Sequence, residues 1–292
     1  MRALTPAAPR PTRPEAPSGT PRHADAAAVL PLRPAPPAPE LADEVRLGMA
    51  QLGPDGLSEQ WLLRDCGDRH WQLIALAMGQ ARAVFTDADG RPVYAAFCAT
   101  SLELEAPGPG ALGGVLGLRS ALFRLGASRI GSIHHLAVDG RPAGRLRMIS
   151  TFVGHGPEGG NRGILRRPPL RRVVLPEAGP ELSDLAAHSR ATVRALAPAR
   201  PEPAPLLAVT PCPALDFNAV GLLYFPAFSA LAERARTARP GPLARRDVIY
   251  LGNVDPGDSI ALHPEPGQGA GALGLWRPDG VRIATVRSRY HQ

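Results

Sequence analysis

Apolar residues change their spacing along the chain in an order that repeats. In residues 58–79, SEQWLLRDCGDRHWQLIALAMG, the positions of Trp61, Leu62, Leu73, Ile74 and Leu76 predict an amphipathic helix. A short apolar segment, 45–52, precedes it. Alternating stretches follow at 93–105, 114–126, 128–138 and 144–155, and each predicts a strand. The order then recurs, with an apolar segment at 206–211, a helical stretch at 222–238, and strands within 246–254, 258–265, 271–277 and 281–290.

Asp89-Gly90, Asp139-Gly140 and Asp279-Gly280 each separate two apolar runs, where a tight hairpin needs residues that tolerate positive φ. The sheets are therefore expected to be antiparallel. A single long helix per half can bury its apolar stripe only against the concave face of its own sheet. The predicted class is α+β, a double hotdog with two antiparallel sheets, each wrapping a long central helix.

Proline and glycine mark the boundaries. Residues 1–40 are dominated by Pro, Ala and Arg, a composition that buries too little apolar surface to offset ordering entropy, so this stretch is expected to be a disordered tail. Residues 157–204 are read as a basic, Pro-rich linker between hotdogs at 41–156 and 205–292, and within it 181–196 has the spacing of a short helical strap. The 34 prolines fit this partition, since regular elements could not hold so many.

The net charge of +7 comes entirely from arginine, because the chain contains no lysine. The arginines are scattered and few aromatics interleave with them, which argues against a nucleic-acid partner. Cys66, Cys98 and Cys212 are far apart and odd in number, so neither a disulfide framework nor a metal site is expected. His134 and His135 are adjacent on a strand and point to opposite faces, which also disfavours a metal. No apolar run reaches membrane-spanning or signal-peptide length, and the expected location is the cytoplasm.

The string DFNAVGLLYFPAFSALAERAR, 216–236, resembles the loop-to-helix signature of the 4-hydroxybenzoyl-CoA thioesterase branch of hotdog proteins. The matching positions are Asp216, Asn218, Ala219, Gly221, Tyr224 and the stretch from Glu233 to Arg236. GLSEQWLLRDCGDRHW, 56–71, is similar to the N-terminal hotdog of the acyltransferase/decarboxylase family of leinamycin-type polyketide pathways. The resemblance implies decarboxylation of a malonyl-type CoA, such as methylmalonyl-CoA, and delivery of the acyl group to an acyl carrier protein in secondary metabolism. It also implies a tyrosine that carries the acyl group as an ester, for which Tyr94 is the candidate. One position departs from the thioesterase pattern. Asn218 stands where that family has a carboxylate, and an amide is no general base, although it can donate a hydrogen bond to a thioester carbonyl.

Thioester chemistry needs donors aimed at a carbonyl oxygen that gains charge, and helix-start amides supply them. Gly221 and Leu222 are expected at such a start in the second half, and Gly56 and Leu57 at the equivalent place in the first. Asp216, Tyr224 and His70 complete the expected substrate contacts, with His70 weighed against an ordinary structural histidine. Asp65 and Asp68 read as a solvated charge cluster with Arg64 and Arg69. Arg166, Arg167, Arg171 and Arg172 are candidates for contacting the phosphates of coenzyme A or a carrier protein.

No cofactor is expected beyond the coenzyme A or phosphopantetheine that belongs to the substrate. Open strand edges are compatible with a homodimer. Two other readings stay open, a thioesterase or dehydratase of acyl chains on CoA or a carrier protein, and a non-catalytic hotdog module that binds acyl carriers.

Overall fold

The computed structural model describes residues 37–106, 111–196, 204–236, 241–265 and 271–292, within a compact unit spanning Ala35–Gln292. The proposed disordered tail lies outside the described residues up to position 36. Its expected boundary at residue 40 moves, because Glu40 already opens the first strand.

The first half runs β1 (Glu40–Arg46), a small hairpin of β2 (Leu52–Gly53) and β3 (Gly56–Leu57), α1 (Glu59–Ala77), β4 (Phe85–Thr86), β5 (Pro92–Leu104), β6 (Val115–Leu125), β7 (Arg129–Val138) and β8 (Arg141–His155). A connection carries β9 (Ile164–Arg166) and α2 (Pro180–Ala195). The second half runs β10 (Leu207–Val209), α3 (Pro213–Asp216), α4 (Phe225–Arg234), β11 (Leu243–Tyr250), β12 (Ile260–Pro264), β13 (Ala272–Trp276) and β14 (Arg282–Tyr290). The three Asp-Gly turns fall where expected, and both Asp139 and Gly140 hold positive φ, 49° and 75°, as the tight β7–β8 hairpin requires.

The sheet departs from expectation. Instead of two sheets, one continuous antiparallel sheet runs in the order β1-β6-β7-β8-β5-β11-β14-β13-β12-β10, with β4 added on β5 and β9 on β8. The halves fuse because β5 and β11 each offer an edge, and they pair from Ala99↔Ile249 to Glu103↔Arg245. Backbone groups that two separate sheets would leave exposed are thereby satisfied.

Helix α1 begins under an N-cap, with Ser58 Oγ accepting from the Trp61 amide. Gly56 and Leu57 belong to β3 and do not open the helix. One stretch of α1 packs Leu73 and Ile74 on Ala95, Leu122 and Phe152. An earlier stretch packs Leu62, Leu63 and Cys66 on Leu102, Leu118 and Leu146. Each buried leucine or isoleucine contributes about 1.5–3 kcal/mol of apolar transfer.

Between these apolar stretches lies a polar chain. His70 bonds Ser150 and Ser132, each at 2.7 Å, Ser132 bonds His134 at 2.8 Å, and His134 bonds Ser120 at 2.8 Å. Burial holds His70 neutral, its pKa lowered to about 3. Its ring ties α1 to β7 and β8. His134 is buried while His135 is exposed, one on each face of β7.

The segment read as a linker is part of the structure. β9 pairs β8 from Val153↔Arg166 to His155↔Ile164, and α2 buries Leu182, Leu185 and Ala186 against Ala99, Ile133 and Ile149 on the sheet face opposite α1. In the second half, α4 is only 10 residues long and starts at Phe225, not at Leu222. Pro226 explains the start, since proline is tolerated only in a helix's first turn. Its apolar face, Phe228, Leu231 and Ala232, packs on Val248, Leu262, Leu275 and Val286.

Candidate active site

Pairing between β5 and β11 starts at Ala99, after a bulge in β5 between Phe97 and Ala99. Ahead of it, residues 94–98 of β5 have no partner on β11, and that free edge borders a cavity of about 770 Å³. The opposite wall is the loop 217–224, the first turn of α4, and the segment after β11. α1 contributes Gly67, Asp68 and Trp71. The Trp71 indole N–H donates to Ala95 O at 3.1 Å, replacing a missing strand neighbour. At Gly67 a Cβ would lie 2.9 Å from the Phe225 ring. A glycine inside a helix costs about 0.5–1 kcal/mol relative to alanine, and here it lets α4 start against the middle of α1.

The loop before α4 is held by its own polar groups. Asn218 Oδ1 accepts from the amides of Val220, at 3.1 Å, and Leu222, at 3.0 Å. Gly221 turns with φ of 76° and donates to Asn218 O at 3.0 Å. Asn161 Nδ2 donates to Gly221 O and Val254 O, both at 2.7 Å, and Leu223 N–H reaches Asn253 Oδ1 at 2.9 Å. Tyr224 N–H goes to Asp216 O at 2.7 Å, while Asp216 Oδ2 accepts from Cys212 N–H at 2.8 Å.

The amides of Gly221 and Leu222, expected as oxyanion donors, are therefore occupied. Phe225 N–H has no acceptor among the described residues and stands at the positive end of α4. Asn218 Nδ2 makes no hydrogen bond among the described residues, since only the side-chain oxygen serves the turn.

Asp68 is the sole carboxylate among the lining residues. Asp68 remains exposed to solvent, and partial desolvation, reinforced by the neighbouring Asp65, raises its pKa. Tyr224 is pushed up to about 12 by desolvation and then by Asp68, so its phenol keeps its proton and serves as a donor. Tyr250 is half-buried, shifted upward by desolvation, and bonds Thr100 Oγ1 at 3.1 Å. Among the lining arginines, Arg162 pairs with Asp258 at 2.5 Å and Arg277 with Asp279 at 2.7 Å. Arg166 has no carboxylate partner among the described residues.

Of the residues expected from sequence, Tyr94, Asn218, Leu222, Tyr224 and Arg166 line the cavity. Tyr94 packs edge-on against the His155 ring, centroids 5.9 Å apart. Gly56, Leu57 and His70 lie away from it, the first two in the β2–β3 hairpin and the last in the core. Asp216 and Gly221 shape the loop without lining the cavity. Arg167 pairs with Asp87 at 3.1 Å, and Arg171 reaches only Met78 O at 3.4 Å. Arg172, like these two, is not a lining residue.

Asp68 borders the cavity and, as expected of a solvated face, is exposed together with Arg64; of that cluster Arg69 is instead buried and held by Asp65 and Asp43, each at 2.6 Å. Sequence reasoning missed Gly67, Trp71, Asn161 and Phe225. A glycine at the centre of an otherwise strong helix pattern and Pro226 at a helix start were the available signals. Among the described residues no group of three or more His, Cys, Asp or Glu side chains could hold a metal ion, and no helix is long and apolar enough to cross a membrane.

No known family's sequence pattern matches this chain, and no curated protein matches it by sequence. Solved structures do match its fold. An acyl-ACP thioesterase from Bacteroides thetaiotaomicron superposes with a TM-score of 0.62 at 10% identity, covering 86% of this chain and 98% of that one. A 12:0-ACP thioesterase from Umbellularia californica gives 0.58 at 10% identity over 86% of this chain and 97% of that one. HtdX of Mycobacterium tuberculosis gives 0.51 at 12% identity, over 86% and 100%. The chain has a hotdog-like α+β fold.

Proposed function

We propose that this protein is an acyl-thioester enzyme that hydrolyses thioesters of coenzyme A or an acyl carrier protein in the cavity between α1 and α4. The observation that carries the reading is the placing of Asp68 as the sole carboxylate lining a cavity that it shares with Tyr224, Asn218 and the start of α4 at Phe225. The fold shared with two acyl-ACP thioesterases supports it.

In this mechanism a water attacks the thioester carbonyl carbon while Asp68 takes its proton. Desolvation makes that carboxylate a stronger base than an ordinary aspartate. Negative charge on the carbonyl oxygen is met by Phe225 N–H at the helix start, with Tyr224 Oη–H and Asn218 Nδ2 as further donors. The carbon–sulfur bond then breaks, the thiolate takes up the proton, and a free acid leaves. The absence of a carboxylate at Asn218 does not block hydrolysis, because α1 supplies one.

A second reading is favoured by Tyr94, which lines the same cavity. A malonyl-type thioester would lose carbon dioxide, the same donors would hold the enolate, and after protonation the acyl group would pass through the Tyr94 phenol to a carrier thiol. The two readings separate on product analysis with a simple acyl-CoA and with methylmalonyl-CoA. Hydrolysis predicts free thiol and acid, with release falling by about 10²–10⁴-fold in Asp68→Asn, the range for loss of a general base. Undiminished release in that variant would remove Asp68 from the mechanism. A carbon dioxide signal with a protein mass adduct that Tyr94→Phe abolishes would establish the second reading, and binding without turnover would leave a carrier-binding module.

A further inference from the structure

The loop between β8 and β9, residues 156–163, leaves the first half and lies against the second. Gly156 N–H closes its neck on Gly163 O at 2.9 Å. Within it Asn161 is 5% exposed, and its backbone amide donates to Asp255 Oδ1 at 2.6 Å. Its side chain is fully engaged: Nδ2 meets the carbonyls of Gly221 and Val254, and Oδ1 accepts from His155 Nε2 at 3.3 Å. Two carbonyl oxygens can be met only by the amide nitrogen, so the orientation of this side chain is fixed. Asn161 borders the cavity, yet both its Nδ2 hydrogens are taken, which leaves it no donor for a ligand.

A single peptide unit links Asn161 to Asn218. The Gly221 carbonyl and the Leu222 amide belong to one plane. Asn161 Nδ2 holds the oxygen of that plane, and its N–H donates to Asn218 Oδ1 at 3.0 Å. Holding the oxygen aims the N–H, and the N–H holds the Asn218 side chain. Without that hold the peptide could rotate, because Gly221, with φ of 76°, lacks the Cβ that restricts other residues. The next residue is anchored independently. Leu223 N–H donates to Asn253 Oδ1 at 2.9 Å, and Leu223 O accepts from Asn253 Nδ2 at 3.2 Å. The loop before α4 thus has one anchor from its own half and one from the other.

We propose that Asn161 is a positioning residue: by fixing the Gly221–Leu222 peptide it orients the Asn218 side chain in the cavity. The first half thereby sets a donor that the second half carries. Its effect on turnover rests on the thioester reading above, whereas its effect on the loop does not.

Hydrogen exchange followed by NMR on the full chain reads the loop directly. In Asn161→Ala the Leu222 amide is expected to exchange about tenfold faster, the yield of one hydrogen bond, while the Leu223 amide, held by Asn253, keeps its rate. Should Asn161→Ala fail to fold, Asn161→Ser, which retains one donor, supplies the same comparison. Equal acceleration at both amides would reduce Asn161 to a general support, and no acceleration would break the link to Asn218; either result overturns the proposal. In turnover, kcat should fall by about 10–100-fold with KM little changed, the scale of a small misplacement of a donor. In an Asn218→Ala background, Asn161→Ala should lower kcat no further, because the two residues act through one donor. A full additional loss there also overturns the proposal. If Leu222 alone exchanges faster but the wild type converts no acyl thioester, the positioning stands and the hydrolytic reading fails.

Discussion

The two places where the halves meet are built from corresponding parts and end differently. At one, the start of α4 abuts the middle of α1 and leaves the cavity. At the other, the start of α1 abuts α4 and β11, and a charge cluster fills the space. There Arg246, whose side chain is 1% exposed, approaches Glu59 of α1 at 3.4 Å, an ion pair without hydrogen-bond geometry, and bonds Glu233 of α4 at 2.5 Å. It also donates to Ser229 O at 2.9 Å and Tyr290 Oη at 3.0 Å. Arg236 covers the Tyr290 ring at 3.7 Å, and Gln60 Nε2 donates to Ser229 Oγ at 3.0 Å.

The contrast teaches what separates a site from a seam. In the sealed junction the acids are matched by arginines that fill the volume, so burial raises the pKa of Glu59 while Arg246 pulls against it. In the open junction the only acid, Asp68, has no lining arginine paired to it, and tyrosine, asparagine and a helix-start amide surround the empty volume. One fold thus carries one open junction and one sealed junction.

The largest expected effect follows from unsealing the second junction. Arg246→Met leaves Glu59 without its counter-ion in a buried position, and a loss of about 3–5 kcal/mol is expected in denaturant unfolding. Thioester turnover per folded molecule should persist, and its disappearance would show that the junctions are not separable. Next, Gly67→Ala sets a methyl against the Phe225 ring and is expected to destabilise by about 1–3 kcal/mol, the range for overpacking. Its kcat/KM should fall as well, because the start of α4 must shift; an unchanged value would detach that start from the chemistry.

Acid provides a smaller and graded effect. The folded pKa of His70 lies near 3, below the ordinary 6.5, so the unfolded chain binds the extra proton. Its contribution to stability is complete above about pH 6.5 and declines toward pH 3, at about 1.4 kcal/mol per pH unit. His134 is shifted in the same direction by burial. The slope of unfolding free energy between pH 6 and 4 should lessen in His70→Gln, and an unaltered slope would contradict the buried neutral imidazole. Smallest, Trp71→Phe removes the bond to Ala95 O and should lower stability by about 1 kcal/mol, read from the thermal midpoint. An unchanged midpoint would mean that water serves the free edge of β5 equally well.

Element order was legible because it depends on local periodicity. The strand stretches ending at Val138, His155, Trp276 and Tyr290 were placed within a few residues, and the Asp-Gly turns needed only the preference for positive φ. The candidate site was half legible. Tyr94, Asn218, Tyr224 and Arg166 reach the cavity, whereas Gly56 and Leu57, chosen by analogy between the halves, lie outside it. The analogy failed because Ser58 caps α1 behind a small hairpin, while Pro226 sets the start of α4. Asp68 is exposed, as expected of a helix acid beside arginines, and no local pattern reports that a second helix begins beside it and makes it border the cavity.

By itself the sequence determined the repeated helix-and-strand order, the antiparallel hairpins and the Asp-Gly turns that join them. All of these follow from contacts between residues close in the chain. Only the tertiary structure decided that β5 and β11 join into one sheet, that β5 keeps a free edge at 94–98, and that one junction stays open while Arg246 closes the other. Those outcomes depend on edges, volumes and charges brought together across roughly 150 positions, the separation of β5 from β11, where one-dimensional patterning carries no register.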